Sequence, residues 1–333
     1  MPLLLFQNQK LFDPARQKLL LFAAKILVAI VVISLLVHKI SFTQLLTAFS
    51  QADAGFITVA TALLGVNILF QFLKWQLIIH RDHPTVKKRH ILYSLFIGMA
   101  LGLVTPGRIG DFARTLFIRN VEQAVVLALL LIDKLITLVV LYFIGIIGLA
   151  QFVAMNVHPY VWMSVFIMTI VLALLFFIIL ARPQLLRRLM ARYAVLFSRY
   201  PALDRFVNAF ESVEPSFIFQ LLAWTILQTV TYCSQFVLLI RAFHADISLV
   251  NGYLVVFAVM FTKSLLPISL GDLGVRESAA IFFLAQLGVP QAAAFNSSIL
   301  LFAINILLPS VLGLGLFLFK RQNKRSNGKT RPD

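Results

Sequence analysis

Cysteine is almost absent: Cys233 is the only one in 333 residues, and it lies inside an apolar run. That excludes an intramolecular disulfide, structural zinc held by thiolates and thiol catalysis. Acidic residues are few, with 13 Asp and Glu against 29 Lys and Arg, for a formal net charge of +16. Long polar stretches are missing too. The longest, residues 182–216, has 35 residues, and a self-standing core usually needs more than about 40. No second, soluble domain is therefore expected, and any chemistry belongs in or at a bilayer. The six histidines, His38, His80, His83, His90, His158 and His244, fall in loops or at helix ends without a pair at metal spacing. They read as interfacial, and neither metal nor cofactor is expected.

What fills the chain is apolar. Hydrophobic residues make up 60% and charged residues 13%, with a mean hydropathy of +0.93. A soluble domain has roughly 45 to 50% apolar residues, so the composition defines an integral membrane protein. In a soluble protein the positive balance would point to nucleic acid. Here the basic residues cluster in short gaps between apolar runs, where the positive-inside rule and an anionic lipid surface account for them. The stretch bounded by Arg182 and Arg205 interleaves Leu185, Leu186, Leu189, Met190, Val195, Leu196 and Phe197 with basic residues. It reads as an interfacial amphipathic helix on anionic lipid, or as a solvated loop.

Six runs are long enough to cross a bilayer, which takes about 20 residues of helix: 19–37, 54–79, 121–150, 160–181, 217–240 and 294–319. The first is too long for a signal-peptide core and lacks a small-x-small cleavage site, so it reads as an uncleaved helix. Two further apolar segments are interrupted. Residues 91–104 run into Thr105-Pro106-Gly107-Arg108-Ile109-Gly110-Asp111, and residues 249–266 into Pro267-Ile268-Ser269-Leu270-Gly271-Asp272-Leu273-Gly274. Proline and glycine break helix hydrogen bonds and let the chain turn, so each reads as a re-entrant hairpin.

Loop charge sets the topology. The N-terminus through Lys18, the segment 80–90, the segment 182–216 and the tail from Lys320 hold 19 Lys and Arg. The gaps 38–53, 151–159 and 241–248 hold only Lys39 and Arg241. Basic loops inside and poor loops outside require six crossings, two hairpins from opposite faces and both termini in the cytoplasm. Trp75 and Trp162 fit aromatic-belt positions in this scheme.

The two breaks share the pattern P-x-x-[IL]-G-D-[FL], with Arg114 three residues after Asp111 and Arg276 four after Asp272. Each half is two helices, a hairpin and a third helix, which makes an inverted repeat of the kind seen in secondary transporters. The fold class is thus all-α and polytopic. A single transmembrane domain spans 1–333, with one repeat over about 19–150, a second over about 160–319 and a basic tail over 320–333.

Charges inside apolar segments cost about 2.5 to 3.5 kcal/mol each and mark function by default. Lys25 and Lys74 lie near inner helix ends and are set aside as snorkelling. Arg108, Asp111, Arg114, Asp133, Lys134, Lys263, Asp272, Arg276 and Glu277 remain, five positive and four negative. One surplus cation suits an anionic group such as phosphate, which the planar arginine fork binds bidentately. On that reading Arg108, Arg114, Arg276 and Lys263 bind substrate, while Asp111, Asp133, Asp272 and Glu277 orient them or take up a proton. Pro106, Gly110, Pro267, Gly271 and Gly274 supply the breaks. The other reading is that the charges only pair with one another and hold the hairpins, and for Asp133 with Lys134 the two stand level.

At these two breaks the sequence resembles the lysylphosphatidylglycerol synthase/flippase transmembrane family. Pro106-Gly107-Arg108-Ile109-Gly110-Asp111-Phe112-Ala113-Arg114 is similar to the family's P-x-R-x-G-[DE]-x-x-R element. Pro267 through Gly271, Gly274, Arg276 and Glu277, followed by Leu287-Gly288-Val289, resemble its second element. Asp272 departs from it, since the family more often has glycine there, which puts the head group or the coupling ion in question. Some members carry a fused aminoacyl-transfer domain. None is present in this sequence, so the resemblance implies a lipid-translocating unit in the inner cell membrane without the synthase half.

Two functions from different classes follow. One is a flippase-like transporter of an anionic or modified lipid, either a phospholipid or a polyprenyl-linked intermediate. The other is an accessory subunit for an envelope-lipid enzyme or glycosyltransferase. A membrane transferase is weakest, since no Asp-x-Asp pair, nucleophile with a base, or metal cluster occurs. The identity of the lipid, the direction and the coupling ion are not written in the residues.

Overall fold

The computed structural model describes residues 34–35, 37–38, 40–105, 108–156, 163–164, 167, 170–171, 205, 208, 212–243, 246–265 and 273–329. Outside them lie most of the expected first span at 19–37, most of the span at 160–181, nearly all of the basic stretch 182–205, and the residues Pro106, Pro267, Gly271 and Asp272.

The described residues form helices joined by turns and short loops. The helices are α1 (Phe42–Ser50), α2 (Ala54–Asp82), α3 (Lys88–Val104), a 3-10 segment (Ile109–Phe117), α4 (Gln123–Asn156), α5 (Pro215–Phe243), α6 (Leu249–Leu265), α7 (Val275–Ala285), α8 (Gln291–Phe302) and α9 (Leu308–Lys329). A π turn at Ala303–Leu307 joins α8 to α9. Four helical stretches are long and apolar enough to cross a membrane: Ala54–Asp82, Gln123–Phe152, Pro215–Phe243 and Gln291–Lys320. The protein is a multi-pass membrane protein. Its outer helix faces carry Val59, Val66, Leu69, Leu138, Phe219, Val230, Val311 and Leu314 exposed. Lipid tails cover such residues as readily as a core would. By contrast α3 and α6 have 17 residues each, which at about 1.5 Å per residue falls short of a hydrocarbon core of about 30 Å.

The gap 38–53 contains a helix. Ser41 caps α1 by accepting from Gln44 N at 3.3 Å, and Asp53 caps α2 by accepting from Gly55 N at 2.7 Å. Each satisfies an orphan amide that a helix start leaves open. The short helix sets Leu45 against α8, where Asn296 donates its amide to the Leu45 carbonyl at 2.9 Å.

Helix pairing repeats between the two halves of the chain. The long helices α2 and α5, one from each half, pack along one another. The last long helix of the first half, α4, packs along α6, and the last of the second half, α9, packs along α3. Glycines make both of these contacts close. Gly145 and Gly148 lay α4 onto Phe261 and onto the Leu254 carbonyl and Phe257 of α6, and Gly313 lays α9 onto the Phe96 carbonyl and Ala100 of α3. A Cβ at any of the three would overlap the partner helix. Phe96 and Ala100 stand ten and six residues before Pro106, and Phe257 and Phe261 stand ten and six before Pro267. The same contact is thus made in the same register twice.

Candidate functional site

The first break folds back along α3. A Cβ on Gly98 would strike Arg114, one on Gly102 would strike Asp111, and one on Gly110 would strike the Leu101 carbonyl and the Thr105 hydroxyl. As α3 residue numbers rise, those of the 3-10 segment fall, so the segment runs antiparallel to the helix that precedes it. Arg108 turns the corner in the left-handed region at φ 56° and ψ 30°, which a side chain with a Cβ adopts only where its surroundings compel it. The Thr105 hydroxyl accepts from Gly110 N at 2.6 Å. That bond satisfies an amide at the start of the segment.

This fold-back delivers charge to the interior. Asp111 is 7% exposed and lies 3.4 Å from Arg108 Nε and 3.3 Å from Lys134 Nζ. Arg114, also 7% exposed, stacks its guanidinium 4.1 Å above the Trp75 ring. The Trp75 indole in turn donates to Ser94 Oγ at 2.8 Å. Trp75 is fully buried, so it is a platform for Arg114 and not the aromatic-belt residue its position in the sequence implied.

Lys74 corrects the sequence reading in the same way. It does not snorkel: it is 5% exposed, its Nζ is 2.6 Å from Asp133 Oδ1, and it reaches Gln228 Oε1 at 3.3 Å and Thr137 Oγ1 at 3.5 Å. Lys74 belongs to a polar stripe on α2 with Asn67 and Gln71. Asn67 donates to Asn305 Oδ1 at 2.6 Å, and Gln71 donates back to Asn67 at 3.3 Å. Spacings of four and three residues put all three on one helix face, a signal present in the sequence and passed over.

The residues flanking the second break reach the same network through α5. Tyr232 stands one turn beyond Gln228 on the same face of that helix. Its hydroxyl lies 3.5 Å from Arg276 Nη1, and Lys263 Nζ lies 5.7 Å from the centre of its ring. Arg276 is fully buried. Its Nη2 pairs with Glu277 Oε1 and its Nε donates to Ser298 Oγ at 2.8 Å. Glu277 also accepts from Ser298 Oγ at 3.0 Å and, through Oε2, from Gly274 N at 2.6 Å. Gly274 has φ 90°, which glycine adopts without strain.

The arrangement is one polar seam, running from Arg108, Asp111 and Lys134 through Asp133, Lys74 and Gln228 to Tyr232, Arg276 and Glu277. It gathers every sequence-chosen charge within the described residues and adds Lys74. The described charges are then six cations, Lys74, Arg108, Arg114, Lys134, Lys263 and Arg276, against three carboxylates, Asp111, Asp133 and Glu277. In a low-dielectric interior such an excess is a standing attraction for an anion.

Fold and seam together define a helical membrane protein whose described interior is rich in cations. The chain belongs to the family described as the lysylphosphatidylglycerol synthase TM region, whose model it matches over residues 22–313. No curated protein matches it significantly.

Proposed function

We propose that the protein is a flippase-like transporter that moves an anionic or modified lipid, a phospholipid or a polyprenyl-linked intermediate, between the leaflets of the cell membrane. One observation carries this reading: among the described residues, the seam holds six cations, Lys74, Arg108, Arg114, Lys134, Lys263 and Arg276, against three carboxylates, Asp111, Asp133 and Glu277. A purely structural network tends toward internal neutrality, because each unpaired buried charge costs several kcal/mol. In this reading Arg108, Arg114, Lys263 and Arg276 supply the attracting field, and Asp111, Asp133, Asp272 and Glu277 orient it. The reading takes the chain as one transmembrane domain, with an inverted repeat, six crossings, two re-entrant hairpins and cytoplasmic termini. Its basic gaps lie on anionic lipid, and an envelope-lipid biosynthetic enzyme is a partner. The reciprocal pairing of α4 with α6 and α9 with α3 supports the repeat.

Reconstitution tests the proposal. Purified protein in vesicles with a labelled anionic lipid in one leaflet moves that lipid to the other, and protein-free vesicles do not. An accessory subunit moves none unless its enzyme is added.

A further inference from the structure

The two hairpin arginines differ in what surrounds them, and we infer that Arg114, stacked on Trp75, is the residue that directly grips the oxyanion of a phosphate, while Arg276 is a strut. The inference deepens the proposed function, since it names the group that is bound and the residue that binds it.

Every carboxylate described in the seam already has a cation. Asp111 is paired with Arg108 and Lys134, Asp133 with Lys74, and Glu277 with Arg276. Arg276 spends its donors inside the protein: Nε goes to Ser298, Nη1 to Tyr232 and Nη2 to Glu277. Arg114 has no such set. No carboxylate among the described residues lies within 4.0 Å of it, and its Nε is enclosed without a hydrogen-bond partner. Asp133 and Asp111 act on it from beyond that distance, and the Trp75 face, at 4.1 Å, is what touches the guanidinium. A guanidinium carries five donors and does not lose its charge, so leaving them unused in a buried place is costly unless an acceptor arrives.

Local structure keeps this arginine ready. Gly98 allows its Cβ to press directly on α3, Trp75 fixes the plane of the fork from below, and Ser94 fixes Trp75. Stacking engages the face of the fork, whereas bidentate binding of phosphate uses its edge. The asymmetry is visible in the chain. Arg276 is followed by Glu277, its own counter-ion, whereas Arg114 is followed by Thr115, whose hydroxyl is turned to the Phe112 carbonyl at 3.0 Å. The ligand chemistry is therefore a phosphate group, either esterified in a lipid head group or free as inorganic phosphate.

The experiment reads Trp75 itself. Of the three tryptophans, Trp162 and Trp224 are replaced by phenylalanine in the full-length protein, leaving Trp75 as the only indole. Inorganic phosphate is titrated at constant ionic strength in one arm, and a short-chain phosphatidylglycerol below its micelle concentration in the other. A saturable change in Trp75 emission is expected in at least one arm. Saturation with inorganic phosphate marks a free-phosphate site, and saturation with the diester alone marks a lipid head-group site. Arg114→Gln removes the change, and Arg114→Lys, which keeps charge without the fork, weakens binding by at least about tenfold. If the Gln variant does not fold, the Lys variant decides. No change in either arm, or equal titration of the variants and the parent, overturns the inference. Binding at Trp75 without lipid movement in vesicles would instead remove the transport reading and leave this site standing.

Discussion

Lys74 and Asp133 meet at 2.6 Å across α2 and α4, each almost wholly shielded. The two residues belong to different spans of the same half, and Gln228 of α5 brings in the other half.

Breaking this pair from one side leaves a buried charge uncompensated, at about 3 to 5 kcal/mol. Lys74→Met and Asp133→Leu should each lower stability by that order, and the double replacement should cost less than their sum. A double-mutant cycle on thermal unfolding in detergent measures the coupling. Simple additivity would mean that the two side chains act independently.

Arg276→Gln should cost more stability than Arg114→Gln, because the first disrupts the bonds to Glu277, Ser298 and Tyr232 and the second forfeits mainly stacking. Breaking a buried pair is worth about 3 to 5 kcal/mol and a cation–π contact about 0.5 to 2. Parallel melting curves of the two variants give the order. An equal loss contradicts the strut assignment.

Much of this was legible beforehand. The breaks at Pro106 and Pro267 and the charges around them stood out because Gly, Pro and Arg are rare inside apolar runs, and α3 and α6 end where those breaks begin. Lys74 was misjudged for a physical reason. Depth along a helix says how far a side chain is from water, but not whether a neighbouring helix offers it a carboxylate. Trp75 was misplaced by the same logic, since belt position and burial under an arginine look alike in one dimension. Neither the match of Asn67 with Asn305, 238 positions apart, nor the joining of the breaks through Gln228 and Tyr232 follows from local pattern. Both depend on which helices become neighbours.

Glycine positions that look alike in sequence should separate in experiment. Gly148→Val and Gly313→Val, at equivalent contacts in the two halves, should each destabilise by about 1 to 3 kcal/mol through overpacking. At Gly315 nothing lies within 4 Å of an added Cβ, so Gly315→Ala should be neutral or stabilise by up to about 1 kcal/mol through helix propensity. Unfolding midpoints in one detergent provide the comparison. A neutral Gly148 variant would mean that α4 and α6 are not in close contact.

Topology can be read with single cysteines after Cys233→Ala. Asn120 and Gly288 are both exposed, and each follows one of the two breaks in the sequence. An impermeant thiol reagent applied to intact cells should label Gly288→Cys and spare Asn120→Cys until the membrane is opened. Outside labelling at position 120 would turn the first hairpin into a full crossing.

The π turn between α8 and α9 lets one span serve two sets of neighbours. Upstream of it, Ser298 faces Arg276, and within it Asn305 reaches α2. Downstream, Ser310 donates to the Met99 carbonyl at 2.9 Å and Gly313 lies against Phe96. A π turn holds one residue more than regular α-helix would use, and one residue is about 100° of rotation. Shortening it by a single residue would make a smoother rod and swing Ser310 and Gly313 about a quarter-turn off α3. The irregularity therefore works as an indexing step between the faces of one span: the second half's arginine network is in phase with α8, α3 of the first half is in phase with α9, and a one-residue deletion would put them out of phase while leaving the amino acids at both sites unchanged.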